Sequence, residues 1–467
     1  MIFHVVKKEL QETLRDGRFK ISTAIVFVLL TVSLVLTFNQ YQYNNAQYIE
    51  AQKNERSLWE EQGEKNPHSA AHYGNYVFKP KSPLSLIDQG VEKYTGISIF
   101  LEAHNRNEAQ FSNASDQTAL SRFGELTPSF ILLYILPLIL ILIGYDAYTK
   151  ELEKGTFAIL KSQGISNTKL LFGKWLSVLI PIVTITTLLF LFGGLILSNT
   201  SDIGVFNWEA LGVLYIVYLI YYLILTNIVL FISLIAKKSG VALVSSLVFW
   251  VLACFITPKI ASNIADSKYP YPTNQEFSKR VAEDRKKGLD GHNPWSEEAK
   301  KLEEEVLRKY NVDSVHKLPF NYSAYRMQKG EEYQAKVYAK HYSWLDEQAQ
   351  KQEKVYKSTS MISPFLPTRF LSMAISRTDY QSHRDFSEKA ETYRVKTQEF
   401  LNGLTEKNSR YGERYVASAN AWKKLPKFEY KPPPFSQILN SNTPMMLILI
   451  VWFAVTGAVL FFINKNH

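Results

Sequence analysis

The chain has 467 residues, of which 46% are hydrophobic and 21% are charged, and its formal net charge is +10. The apolar residues are concentrated in long blocks, a pattern that excludes an ordinary soluble globular protein. The single cysteine, Cys254, lies inside one of these blocks, which excludes a disulfide framework or a cysteine-based metal site within the chain.

Residues 1–20 are predicted to form a cytoplasmic interfacial helix along the inner leaflet. In "FHVVKKELQETLRDGRFK", Phe3, Val6, Leu10 and Leu14 fall on one side of a helix, as in amphipathic helices at membrane surfaces. About twenty polar and basic residues precede the next block, residues 21–38, and no small-residue cleavage site follows it. We therefore predict that this block is a retained membrane anchor rather than a signal peptide.

Six apolar blocks are long enough to cross roughly 30 Å of hydrocarbon at about 1.5 Å per helical residue. We predict transmembrane helices at residues 21–38, 128–148, 175–197, 211–235, 241–257 and 444–463. Pro137 and Pro181 lie within the second and third of these helices, where neighbouring helices can compensate for a kink. The predicted fold class is an all-α membrane protein with two mainly helical extracytoplasmic segments.

The distribution of lysine and arginine predicts the orientation, because these residues accumulate in short cytoplasmic flanks. They are frequent in residues 1–20, in the loop 149–174 and in the turn 236–240, and Lys465 lies in the tail 464–467, whereas the short loop 198–210 has none. Both termini are therefore predicted to be cytoplasmic, and residues 39–127 and 258–443 to lie outside. Because the basic residues are explained by this topology, we expect no nucleic-acid partner.

The large outer segment 258–443 is predicted to be helical. From Asn274 to about Glu406, aromatic and aliphatic residues recur at helical intervals between charged residues, for example in "EEAKKLEEEVLRKY". This pattern is typical of a helical bundle with a solvated, charged face. The proline-rich stretch "KLPKFEYKPPPF" predicts an extended approach to the last transmembrane helix.

The loop between the second and third helices predicts a short amphipathic helix over residues 151–161. Leu152, Thr156, Ile159 and Leu160 fall within one arc of a helical wheel, and Gly155 is expected to allow another backbone to approach closely. Gly164 is expected to end the helix in a left-handed cap, and Ser166 or Asn167 to begin the next one. The alternative is a surface loop that is helical without any role in docking.

The stretch "YDAYTKELEKGTFAILKSQGISNTKLLFGKWL" resembles the coupling-helix segment of type-2 ABC permeases. The matching positions are Glu151, Glu153, Gly155, Thr156, Ser166, Gly173 and Lys174. The resemblance implies that this segment docks into a groove of a separate ATPase, with contacts from Glu151, Leu152, Glu153, Gly155, Thr156, Ile159 and Leu160. Longer outer stretches, such as "SPFLPTRFLSMAISRTDYQSHRDFSEKAETYR", resemble a branch with large periplasmic insertions that is catalogued as a domain of unknown function.

The resemblance implies an inner-membrane permease subunit of a bacterial ATP-driven transporter, acting in export or in mechanotransmission to the periplasm. The partners it implies are an ABC ATPase, which would hold ATP and Mg²⁺, and a second copy or a related permease; an envelope protein is a further candidate. The chain itself has no Gly-x-x-x-x-Gly-Lys-Ser/Thr loop, because Thr168 stands where the first glycine belongs and Trp175 follows Lys174. We expect it to be non-catalytic and to bind no cofactor.

The alternative function is a membrane-anchored scaffold or sensor whose outer domain binds an envelope partner without transport. The sequence allows more than one role for two further groups of polar residues. Thr226 and Asn227 lie within the fourth helix, where an interhelical hydrogen bond is favoured over a place on a transport pathway. His68, His72 and His104 are candidate metal ligands, although histidines in a polar outer domain are more often structural.

Overall fold

The computed structural model describes residues 2–110, 126–199 and 206–466. Six helices in these ranges are long and apolar enough to cross a membrane, which confirms the predicted all-α membrane fold. We number them span 1 to span 6: Gly17–Glu60, Pro128–Glu153, Asn167–Ser198, Trp208–Ile235, Ser239–Lys268 and Phe435–Lys465.

Span 1 extends far beyond the apolar block that predicts it. The helix continues to Glu60, so its 44 residues measure about 66 Å, roughly twice the thickness of the hydrocarbon core. The outer half is polar and contains neither proline nor glycine between Phe38 and Glu60, so nothing ends the helix at the membrane surface. One continuous helix therefore connects the N-terminal side of the membrane part with the outer domain.

Spans 2 and 5 each contain a π-helical turn next to a proline, at Ile131–Ile135 and at Leu252–Ile256. Proline lacks a backbone N–H, so carbonyl groups one turn earlier need other donors. Tyr222 of span 4 donates to the Leu132 carbonyl over 2.9 Å. The Ser363 hydroxyl donates to the Ala253 carbonyl over 2.8 Å. Hydroxyl groups of neighbouring elements thus satisfy the backbone carbonyl groups that the two π-helical turns leave without an N–H donor.

The remaining helices lie at the two membrane surfaces. At one surface are the N-terminal helix Ile2–Arg15 and two short helices, Thr149–Glu153, which ends span 2, and Thr156–Ser162. The outer domain contains the α-helices Pro67–Tyr73, Asn274–Arg285, Glu297–Tyr310, Tyr322–Thr359, Phe365–Ser376 and Tyr380–Asn408. Its short 3₁₀ turns are Pro83–Leu86, Val315–Lys317 and Ala419–Lys424.

The two outer segments pack into one body. Strands Asn75–Phe78 and Ser98–Leu101 form an antiparallel pair, in which Asn75 lies opposite Leu101, and this pair packs against the long helix Tyr380–Asn408. At the far end of span 1, the Trp59 indole donates to the Trp422 carbonyl over 3.1 Å, and both side chains are buried. Span 1 is thereby anchored to the second outer segment.

One outer helix, Phe365–Ser376, is inserted between the outer ends of spans 4 and 6, and we call it the inserted helix. Almost all of its side chains are buried. The Ser372 hydroxyl donates to Asp88 over 2.5 Å and also lies 2.8 Å from the Tyr218 hydroxyl of span 4. Asp88 is fully buried and belongs to the first outer segment. The inserted helix therefore connects both outer segments to the membrane helices.

Candidate functional site

The loop predicted to be one coupling helix over residues 151–161 forms two short helices instead. They meet at Gly155, whose backbone is left-handed with a φ of +68°, a conformation that glycine adopts without steric cost. A Cβ at Gly155 would have no described atom of this chain within 4 Å, so the close approach of another backbone stays a prediction. Gly164 has a φ of +78° after the second helix, and the Ser166 hydroxyl accepts from the Lys169 amide at the start of span 3.

The two short helices present one exposed surface, which we call the coupling face: Leu152, Glu153, Lys154, Ala158 and Ile159. The Leu152 side chain is 37% exposed and the Ile159 side chain is 55% exposed. Leu160, in contrast, packs against the membrane core. Exposed aliphatic side chains at the tip of a charged loop are suited to contact another protein.

Glu153 fixes the coupling face to span 5. Its carboxylate accepts hydrogen bonds from the backbone N–H and from the hydroxyl of Ser239, both at 2.8 Å. Ser239 is the first residue of span 5, so the carboxylate satisfies an unpaired amide at the positive end of that helix. The carboxylate of Glu153 therefore links the coupling face directly to span 5.

Glu151 lies on the opposite side of the loop, in a cluster of three lysines and three glutamates: Lys8, Lys150, Lys174, Glu9, Glu12 and Glu151. The Lys174 side chain is 0% exposed and its ammonium lies 2.8 Å from Glu9 and 3.5 Å from Glu151. Lys8 donates to Glu151 over 2.8 Å. Since Glu151 is 3% exposed, it holds the loop inside this chain and does not lie on the coupling face.

The cluster joins the N-terminal helix, the coupling loop and span 3, and its formal charges cancel. Burial alone would raise the pKa of Glu9, but Lys174 and Lys150 outweigh that effect and the pKa of Glu9 is lowered. Glu9 is therefore charged at neutral pH. A buried carboxylate of this kind needs its lysines, because an unpaired buried charge is strongly destabilising.

Gly173 explains how the N-terminal helix approaches span 3 so closely. A Cβ at this position would lie 2.6 Å from the Cβ of Val5, closer than side chains tolerate. Val5 and Val6 of the N-terminal helix are buried, whereas Phe3 and Leu14 are exposed. The Gly173–Lys174 pair thus provides both the space and the charge that hold the N-terminal helix.

Thr226 and Asn227 occupy different environments although they are adjacent in span 4. The Thr226 hydroxyl donates to the Tyr222 carbonyl of its own helix over 2.8 Å. The Asn227 amide accepts from the Trp175 indole of span 3 over 2.8 Å and donates to Thr456 of span 6 over 3.2 Å. Asn227 therefore links three spans through hydrogen bonds.

His68, His72 and His104 lie together in the outer domain, and a fourth histidine, His292, joins them. The spacing of histidines along the sequence does not predict that His292 joins this group, because 224 residues separate it from His68. Burial lowers the pKa of His68 to about 4, and the electrostatic effect of the neighbouring His72, His292 and His104 contributes to this shift. At neutral pH this imidazole is therefore uncharged.

A cavity of about 930 Å³ lies where the outer domain meets the outer ends of spans 4 and 6. Its walls combine charged and aromatic side chains, among them Lys79, Trp208, Arg377, Asp385 and Tyr430. A volume of this size can hold a small molecule or part of a lipid. The cavity also borders the inserted helix, because Ala374 and Ile375 line it.

Two family profiles match the sequence. The profile described as ABC-2 family transporter protein matches residues 21–266. The profile of a domain of unknown function, DUF3526, matches residues 275–431. No curated protein matches the chain. The first profile ends within span 5, and the second covers most of the large outer segment.

Proposed function

The chain belongs to the ABC-2 transporter family and is a multi-pass permease component of an ABC transporter, and on that premise we propose that it couples ATP hydrolysis by a separate ATPase to motion of its outer domain. The observation that carries the proposal is the coupling face, which is exposed on one side and locked to the N-terminal helix and span 3 on the other. The ATPase would supply the sites for ATP and Mg²⁺.

The proposed first step is docking of the ATPase on Leu152 and Ile159. These side chains expose aliphatic surface that a groove can bury, at roughly 25 cal/mol per Å² of apolar area removed from water. Closure of two ATPase subunits around ATP would then move the coupling face. Because Glu153 is bonded to Ser239 and Glu151 to Lys8, this motion would be shared by span 5 and the N-terminal helix.

The proposed second step is transmission across the membrane. Span 1 is one uninterrupted helix from Gly17 to Glu60, and its outer end is anchored through Trp59 to Trp422. Rigid-body rotation of such elements is a common means of switching. The geometry favours action toward the periplasm, either as export or as mechanotransmission. A second copy of the chain or a related permease would complete the membrane part. Both termini would then lie in the cytoplasm and the protein in the inner membrane.

The decisive experiment is co-purification of the full-length chain with its ATPase from native membranes in mild detergent. We expect Ile159→Glu to reduce recovery of the ATPase at least tenfold, because a carboxylate would be buried in an apolar groove without a partner. The matched control is Val416→Glu, which alters an aliphatic residue that is 45% exposed on the outer domain. This control should leave recovery of the ATPase unchanged.

The outcome separates the two candidate functions. If an ATPase is recovered with the wild-type chain and lost with Ile159→Glu, the result supports the proposal that the coupling face binds the ATPase. If envelope proteins alone are recovered, with no ATPase in any preparation, the scaffold or sensor function replaces the proposal. If the ATPase remains bound to Ile159→Glu at the wild-type level, the docking surface is wrong.

A further inference from the structure

We propose that His68, His72, His104 and His292 form a binding site for one divalent transition-metal ion of the Zn²⁺ class in the outer domain. Four of the nine histidines in the sequence converge at this point. One ligand nitrogen from each of the four lies within 4.8 Å of all the others. Imidazole is a preferred ligand for zinc, copper and nickel, and four nitrogens are the usual number for a closed zinc site.

The separations between the nitrogens fit tetrahedral coordination. Nε2 of His68 lies 3.1 Å from Nε2 of His72 and 3.3 Å from Nε2 of His292. Four nitrogens at about 2.0–2.1 Å from a zinc ion stand about 3.3–3.4 Å apart along the edges of a tetrahedron. All four nitrogens lie within 4.8 Å of one another, so the wider separations have to shorten on metal binding, and His72 and His292 are exposed side chains with room to rotate.

His104 is held in the orientation of a metal ligand. Its Nδ1 forms a hydrogen bond with the Glu331 carboxylate, while its Nε2 is buried and has no hydrogen-bond partner among the described residues. A carboxylate behind a ligating histidine fixes the tautomer and increases the basicity of the free nitrogen. Glu331 is itself oriented by Arg394, whose guanidinium lies 3.7 Å away and is 1% exposed.

The site joins two parts of the chain that are distant in sequence. His68 and His72 lie one turn apart on the helix Pro67–Tyr73, and His104 follows the strand Ser98–Leu101. His292 lies in the loop between the helices Asn274–Arg285 and Glu297–Tyr310. A bound ion would therefore connect the first outer segment with the second. Because His72 and His292 are exposed, the ion can enter from outside.

Equilibrium dialysis of the full-length chain, purified in detergent without a polyhistidine tag and stripped with a chelator, tests the proposal. We expect one Zn²⁺ per chain by mass spectrometry, and a visible absorption spectrum typical of tetrahedral coordination when Co²⁺ is used instead. The double substitution His72→Ala with His292→Ala should weaken binding at least 100-fold. These side chains are exposed, so the variant is expected to fold, which its unchanged melting temperature without metal would verify.

Two further variants sharpen the test. Glu331→Gln should weaken Zn²⁺ binding by about 10- to 100-fold, as other carboxylates behind metal-bound histidines do. His316→Ala, an exposed histidine outside the cluster, should bind Zn²⁺ like the wild type. The proposal is overturned if the wild-type chain binds no Zn²⁺, or if the folded double variant retains the wild-type affinity and stoichiometry. Tighter binding of Cu²⁺ at the same four residues would also support the site, because a given set of nitrogen ligands generally binds Cu²⁺ more tightly than Zn²⁺.

Discussion

Replacing Lys174 with methionine should release the N-terminal helix from the membrane part. The Lys174 side chain is 0% exposed, and its ammonium lies 2.8 Å from Glu9 and 3.5 Å from Glu151. Removing one partner of a buried ion pair costs about 3–5 kcal/mol. Because Glu9 keeps Lys150 and Glu151 keeps Lys8, we expect a cost near the lower end, about 3 kcal/mol.

Hydrogen exchange measured by mass spectrometry gives a direct assay of this release. A loss of about 3 kcal/mol corresponds to roughly 100-fold more frequent opening, since each 1.4 kcal/mol changes an equilibrium constant tenfold. The amides of Ile2–Arg15 should therefore exchange about that much faster, while those of span 4 remain protected. Lys169→Met, which changes an exposed lysine on the same helix, should leave this exchange unchanged.

A second variant distinguishes charge imbalance from loss of packing. Combining Lys174→Met with Glu9→Gln removes one positive and one negative charge, so the cluster is again formally neutral. We expect the N-terminal helix to exchange more slowly in the double variant than in Lys174→Met alone, as residues of one ionic network are not additive. Wild-type exchange in Lys174→Met, or additive effects in the double variant, would refute the argument.

The remaining three predictions concern Gly173, Asn227 and Glu9. Gly173→Ala should also accelerate hydrogen exchange of the N-terminal helix, because the new Cβ would lie 2.5 Å from the Val5 side chain. Gly193→Ala is the control and should leave this exchange unchanged, because its added Cβ would have no described atom within 4 Å. Asn227→Leu should lower stability by about 1 kcal/mol through lost interhelical bonds, measured as a lower melting temperature in detergent, and Thr226→Val should have a smaller effect. Because the pKa of Glu9 is lowered on folding, its contribution is complete above its unfolded pKa of 4.5 and is lost as the pH falls through its folded pKa. The mobility of a spin label at Gln11 should therefore rise only in acid; a rise already near pH 6 would exclude Glu9 as the cause.

The number and positions of the six spans could be predicted because hydropathy reports directly on the bilayer. All six apolar blocks lie within observed helices, and the resemblance to type-2 ABC permeases is confirmed. The length of span 1 was not predictable from this signal, since its outer half is polar and is stabilised by the outer domain through Trp59 and Trp422. Tertiary contacts of this kind decide where a helix ends when neither proline nor glycine does.

The loop of the candidate site could be predicted to be helical from the sequence, whereas its tertiary contacts could not. The resemblance to type-2 ABC permeases implies that Glu151 contacts an ATPase, whereas the structure buries its carboxylate against Lys8, a residue 143 positions away. Local periodicity contains no information about such a distant partner. The same limit applies to His292, because a cluster built from separate segments shows no spacing pattern.

Two connections between the membrane helices and the outer domain favour the proposed mechanical function over simple anchoring. Span 1 measures about 66 Å, so a tilt of about 10° about its centre would move each end by about 6 Å. The inserted helix forms the second connection, because Ser372 is bonded both to Tyr218 in span 4 and to Asp88 in the first outer segment. A scaffold needs only to hold its outer domain at the membrane, for which one short anchor is enough. Two rigid connections would make the outer domain follow the movements of spans 1 and 4, and the coupling to an ATPase that we propose requires that property.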